Sequence, residues 1–101
     1  MTREFIMTPE FDKVWNKLGL TDDNLEELQE IILLNPQIGS VIEGTGGLRK
    51  VHFALNEGKS GGIRVLYIDL LIYEQVYFIT AFPKSSKDNL TKSEKMKLSK
   101  W

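Results

Sequence analysis

The sequence contains no cysteine. That excludes disulfides and thiolate-held metals, and it leaves a fold resting on its core alone, as suits a reducing cytosol. It contains no apolar run approaching the roughly 20 residues that cross a bilayer as a helix. The opening MTREFIM lacks the apolar stretch and small-residue cleavage site of a secretory signal, so the expected compartment is the cytoplasm and no membrane partner is expected. Nucleotide, metal and triad chemistry have little footing. There is no Walker or GxGxxG loop, no zinc-ligand spacing and no Ser/His/Asp signature, and histidine occurs once, at His52. Positive charge is scarce where the chain begins: residues 1–48 hold three basic residues (Arg3, Lys13, Lys17) against nine acidic ones, for −6.

The second half reverses that balance. Residues 49–101 hold ten basic residues against five acidic, for +5, so the net charge of −1 hides a dipole along the chain. A dipole that is also present in space steers a polyanion to one face. With 42% hydrophobic and 27% charged residues over 101 positions, the composition is that of a soluble domain, and the length suits one core, expected over 1–101.

Phe5-Ile6-Met7 reads as a short strand ending at Thr8-Pro9. Thr8 is then an N-cap, Pro9 the first helical residue, and Phe11, Val14, Trp15 and Leu18 an apolar stripe closed by Gly19. A second helix starts between Thr21 and Asn24, buries Leu25, Leu28, Ile31 and Ile32, and stops at Asn35-Pro36. Its acids read as solvated decoration. Residues 37–47 read as a glycine-rich loop, after which the period changes from 3.6 to 2. Val51 and Phe53 then face one side of a strand, and Lys50, His52 and Ala54 the other. Residues 56–62, NEGKSGG, make a hairpin turn; Ile63–Leu71 and Gln75–Phe82 are two further strands; and Thr91-Lys-Ser-Glu94 opens a short basic helix toward Trp101. The expected class is α+β in the order β-α-α-β-β-β-α, a mostly antiparallel sheet with helices on one face.

On the sheet face away from the helices, Lys50 and His52 lie together, Arg64 enters the neighbouring strand, and Lys84 follows the last one. Taken singly, the lysines and the arginine read as exposed residues that discourage edge pairing, and His52 as a hydrogen-bonded structural residue. Together they fit a phosphodiester better than a glycosidic or peptide bond. Cleaving RNA without metal needs a base for the 2′-OH proton, cations for the charge on the phosphorane oxygens, and an acid for the leaving 5′ oxygen. Imidazole titrates near neutrality and serves as either acid or base, while guanidinium suits bidentate contact with phosphate oxygens.

Three stretches carry a resemblance: Asn35-Pro-x-x-Gly39-x-x-Ile42-x-Gly44-Thr-Gly-Gly-Leu-Arg-Lys50, then Gly58-Lys-Ser-Gly-Gly-Ile-Arg64-Val-Leu-Tyr67, then Lys84 with Leu90-Thr-x-x-Glu94-Lys95. With Thr8-Pro9-x-Phe11 and the Leu18-Gly19-Leu20 after the first helix, the chain resembles, nearly end to end, the RelE/HigB-type toxins of bacterial type II toxin–antitoxin systems, in the RelE/ParE superfamily. The resemblance implies an mRNA interferase, a metal-independent endoribonuclease that needs no cofactor and cuts messenger RNA, in many members in the ribosomal A site. It also implies a cognate DNA-binding antitoxin of HigA or RelB type. Lys50, Arg64 and Lys84 fall on catalytic or phosphate-binding basic positions, and His52 stands where lysine or arginine is usual. Arg49, Lys59 and Lys87 are the RNA-binding candidates, the glycine loop delivering Arg49 and Lys50 as a pair to the rim of an RNA groove. Phe82 departs from a frequent tyrosine, and Ser85 from a frequent charged residue. Two other readings remain beside the enzyme: a non-catalytic RNA- or antitoxin-binding module on the same scaffold, and an acid-rich structural adaptor using the first two helices.

Overall fold

Thr8 and Pro9 set the first boundary. The computed structural model of the chain describes residues 2–54 and 62–84, with Ser93 and Lys97. In it strand β1 (Glu4–Met7) ends at Thr8 and helix α1 (Pro9–Lys17) begins. The Thr8 hydroxyl oxygen accepts from the Phe11 amide at 3.2 Å and lies 3.0 Å from the carbonyl oxygens of both Phe78 and Ile79. One side chain thus satisfies an orphan helix amide and fastens the helix start to the sheet. Phe11 and Trp15 are buried, with Val14 and Leu18 packed at their flanks. Helix α2 (Asp22–Leu34) begins with a capping box: the Thr21 hydroxyl accepts from the Asn24 amide, and the Asn24 side chain accepts from the Thr21 amide. The Trp15 indole N–H donates to the Thr21 carbonyl at 3.1 Å, closing the αα-hairpin on itself.

The remaining strands are β2 (Ser40–Val41), β3 (Arg49–Phe53), β4 (Ile63–Leu70) and β5 (Gln75–Pro83), in the sheet order β1-β5-β4-β3-β2. Only β1 and β5 run parallel; the other neighbours are antiparallel. The fold is α+β, as the sequence predicts, with one correction to the element order. Ser40–Val41 is a strand paired to β3 where the sequence reads as loop, because two residues are too short to show an alternation. The hairpin turn predicted over 56–62 lies outside the described residues except for Gly62. The basic helix after Thr91 does too, except that Ser93 and Lys97 are helical and exposed. No helix among the described residues is long and apolar enough to cross a membrane.

The helices cover one face of the sheet. There Phe11, Trp15, Leu28 and Ile32 meet Val51, Phe53, Ile63, Val65, Tyr67, Val76 and Phe78. Rings stack through it, Phe11 lying 5.2 Å from Trp15 and 5.0 Å from Phe78 between centroids. The outer face is divided. A register shift between Leu66 and Tyr67 leaves Ile79 as an extra residue on β5, and beyond it Ile68, Ile79 and Leu48 form a second small core with Ile42, Leu70 and Tyr77. The glycine loop between β2 and β3 carries Ile42 and Leu48 into that cluster, held by an Ile42 amide to Leu48 carbonyl bond of 2.8 Å. One half of the outer face is therefore roofed, and the other half is left for side chains of a different kind.

Candidate functional site

Register decides what stands on the open half. His52 pairs directly with Arg64, and Arg64 with Phe82; one step along, Lys50 pairs with Leu66, and Leu66 with Thr80. Direct partners and alternate residues share a face, so Lys50, His52 and Arg64 stand together opposite the helices. Leu66 and Phe82 are buried on the same side and give the cations an apolar floor. Ser40 pairs with Lys50 at the sheet edge.

Lys50, His52 and Arg64 line an open groove of about 270 Å³ bounded also by Ile38, Ser40 and Val51. Among the described residues no carboxylate lines it, and the three ionisable side chains that do are all basic. Arg64 is half-buried and its Nη1 nitrogen is shielded from solvent, Lys50 is half-buried, and His52 is exposed. The acidic residues Glu10, Asp12, Asp22, Asp23, Glu26 and Glu30 are exposed on the helices, which cover the opposite face. The charge asymmetry of the sequence is thus one in space among the described residues.

Two glycines shape the site. Gly62 has φ +58°, and a Cβ there would lie 2.5 Å from the Phe53 carbonyl oxygen and 2.8 Å from His52 Nε2. Only glycine lets the start of β4 run this close beneath the imidazole. A Cβ on Gly39 would lie 2.9 Å from Tyr67 Cε1 and 3.0 Å from the Lys50 carbonyl oxygen. Gly39 is held from the helix side. Its amide donates to the Tyr67 hydroxyl at 2.9 Å, that hydroxyl donates to the Pro36 carbonyl at 2.8 Å, and Arg49 Nη1 donates to the Gly39 carbonyl at 2.7 Å. Burial raises the Tyr67 pKa above its ordinary value, with the Gly39 amide pulling the other way.

The other sequence candidates fall elsewhere. Arg49 pairs with Tyr67 on the helix side of the sheet, and its guanidinium is committed to the carbonyls of Gln37 and Gly39, so it does not reach the groove with Lys50. The glycine loop delivers Leu48, not Arg49, to the outer face. Lys84 is exposed just past β5, its amide donating to the Gly62 carbonyl at 3.3 Å, and it does not line the groove. Lys59, Lys87 and Ser85 lie outside the described residues. Sequence reasoning missed Ile38 and Ser40. The only signal for them is the pairing of β2 with β3.

The sheet is mixed and five-stranded, with an αα-hairpin on one face and a cationic groove on the other. No protein-family model matches the chain. Among solved structures it is similar to E. coli toxin RelE, in a doubly substituted arginine-to-alanine variant in the free state, with a TM-score of 0.64 at 21% identity over 96% of this chain and 97% of that one. It is also similar to a chain of the intact E. coli RelBE toxin–antitoxin complex, with a TM-score of 0.60 at 18% identity over 81% of this chain and 96% of that one. The fold is RelE-like.

Proposed function

We propose that this protein is the toxin of a type II toxin–antitoxin pair, of RelE or HigB type, and a metal-independent endoribonuclease that cuts messenger RNA on the ribosome in the cytoplasm. The observation that carries this reading is the register that sets Lys50, His52 and Arg64 on one open half of the sheet with an apolar floor. Such a groove attracts a polyanion and holds it close to a proton-transfer group. Similarity in fold to a toxin solved together with its antitoxin supports an antitoxin as partner.

In the proposed reaction a 2′-OH gives its proton to a general base while its oxygen attacks the adjacent phosphorus. The P–O5′ bond breaks, and the leaving oxygen takes a proton from a general acid. The products are a 2′,3′-cyclic phosphate and a 5′-hydroxyl. His52 serves as the acid or the base. Arg64, stiffened by its position between two strands, contacts the non-bridging oxygens with two parallel donors, and Lys50 adds a point charge where negative charge develops. Lys84, exposed past the end of β5 and outside the groove, takes no part in these steps.

Phe82 favours a second reading, a binding module without catalysis. It is buried beside Arg64 and offers no hydroxyl to the leaving group. Induced expression without antitoxin separates the two. The enzyme reading predicts growth arrest with cuts inside coding regions mapped by primer extension, and relief of both by Arg64→Ala. Undisturbed growth with intact messages, identical in wild type and Arg64→Ala, would overturn it.

A further inference from the structure

The groove has two unlike halves, and the second has no role in the chemistry above. β2 pairs with β3 at Ser40–Lys50 and Val41–Arg49. Two residues before β2, Ile38 lines the groove together with His52. Among the paired residues, one row of the outer face runs His52, Arg64 and Phe82, and the next runs Ser40, Lys50, Leu66 and Thr80. The cations occupy the middle. The edge carries an isoleucine and a serine, Ile38 being 48% exposed although large and apolar, and both line the groove.

That edge is fixed from behind. The Ile38 amide donates to the Asn35 carbonyl at 2.9 Å and the Gln37 amide to Asn35 Oδ1 at 3.2 Å. The Pro36 carbonyl and the Gly39 amide are both held by the Tyr67 hydroxyl, and the Gly39 carbonyl by Arg49. Tyr67 and Arg49 act through the sheet from the helix side. A segment so restrained presents Ile38 and Ser40 in one geometry, which is what discrimination between similar ligands requires.

We propose that Ile38 and Ser40 form a base-reading subsite, in which the nucleobase beside the phosphate held by Arg64 lies against Ile38 and presents one polar edge to the Ser40 hydroxyl, with Tyr67 and Arg49 as positioning residues. This rests on the reading of the groove as an RNA site. Contacts to phosphate position a strand but carry no sequence information, whereas an unstacked base offers an apolar face and a hydrogen-bonding edge. β2 and β4 are two strand spacings apart, about 10 Å, so the base lies toward the sheet edge and the phosphate over its centre. A volume of about 270 Å³, just below the roughly 300–1,000 Å³ of small-molecule sites, suits one base and its ribose.

The test maps cleavage on a randomised cassette, as free RNA and within a translated message, for wild type, Ile38→Ala, Ser40→Ala and Tyr67→Phe, each checked for a cooperative unfolding transition. Wild type is expected to prefer particular bases at one position next to the cut. Ser40→Ala is expected to flatten that preference by roughly two- to tenfold, the value of one neutral hydrogen bond, while cleavage of the least favoured sequences hardly changes. Ile38→Ala and Tyr67→Phe flatten it at the same position. If Ser40→Ala and Ile38→Ala keep the wild-type preference, or slow all sequences equally, the subsite assignment is wrong while the nuclease reading stands. A wild type that cuts and binds no RNA overturns both.

Discussion

Removing one oxygen from Tyr67 tests how the fold supports the groove. In Tyr67→Phe the ring stays in the core but the hydroxyl leaves two partners, the Pro36 carbonyl at 2.8 Å and the Gly39 amide at 2.9 Å. Pro36, Gly39 and Tyr67 are all buried, so water does not readily replace the lost bonds. A buried donor or acceptor left unsatisfied costs about 1–3 kcal/mol. With Arg49 still holding the Gly39 carbonyl, the expected loss is about 2–4 kcal/mol. Against a total of about 5–15 kcal/mol that is large, and for a domain of this size it lowers Tm by about 10–25 °C.

Urea unfolding measures the loss at neutral pH, and alkaline titration gives a second signature. Because burial raises the Tyr67 pKa in the folded state above its ordinary value of 10.0, the neutral form is favoured by folding. That contribution is complete below pH 10.0 and is lost as pH rises through the higher folded value, at up to about 1.4 kcal/mol per pH unit. Wild type should therefore lose stability above that pH more steeply than Tyr67→Phe does. A stability loss under about 0.5 kcal/mol, together with identical alkaline slopes, would refute the clamp.

Other predictions concern the outer face. His52→Gln should lower cleavage by about two to four orders of magnitude with little change in RNA binding; equal losses in single-turnover cleavage and binding assays would make His52 a positioning residue. Gly62→Ala should destabilise by about 1–3 kcal/mol, because φ is +58° and the Phe53 carbonyl oxygen lies 2.5 Å from the new Cβ; unchanged urea midpoints would contradict this. RNA affinity should fall with salt, and Lys50→Ala should reduce the slope of log K against log salt by about 0.7; fluorescence anisotropy at several salt concentrations reads this directly.

Much of the fold is legible in the residues, for local reasons. Thr8-Pro9 and the Thr21–Asn24 capping box mark helix starts by their own hydrogen bonds, and Gly19 takes the positive φ, +74°, that closes the first helix. The alternation of Lys50, Val51, His52 and Phe53 assigns faces, and the inner pair is buried as that alternation requires. Pairing is less legible. In β4, Val65-Leu66-Tyr67-Ile68 is apolar on both faces, so nothing in it marks the bulge between Leu66 and Tyr67. Ser40–Val41 sits in a glycine-rich stretch and becomes a strand only through its partner β3, which is why Ile38 and Ser40 escape notice. Adjacency also misleads: Arg49 and Lys50 read as one basic pair, but a strand turns neighbours to opposite faces, and Arg49 is spent on loop carbonyls. Arg3 likewise adds nothing to the cationic face. It makes a two-point ion pair with Asp69, at 2.8 and 3.4 Å, that ties the start of β1 to β4 and raises the Arg3 pKa.

In the proposed reaction the Lys50, His52 and Arg64 cluster cuts RNA by attack of the RNA's own 2′-OH. The most direct measurement is the chemical nature of the ends produced when purified protein acts on a defined message, free and on ribosomes. Such cleavage should leave 2′,3′-cyclic phosphate and 5′-hydroxyl ends, should fail on RNA carrying 2′-deoxy at the cut site, and should lose both products in Arg64→Ala. Ends bearing 5′-phosphate and 3′-hydroxyl, or undiminished cutting by Arg64→Ala, would contradict it.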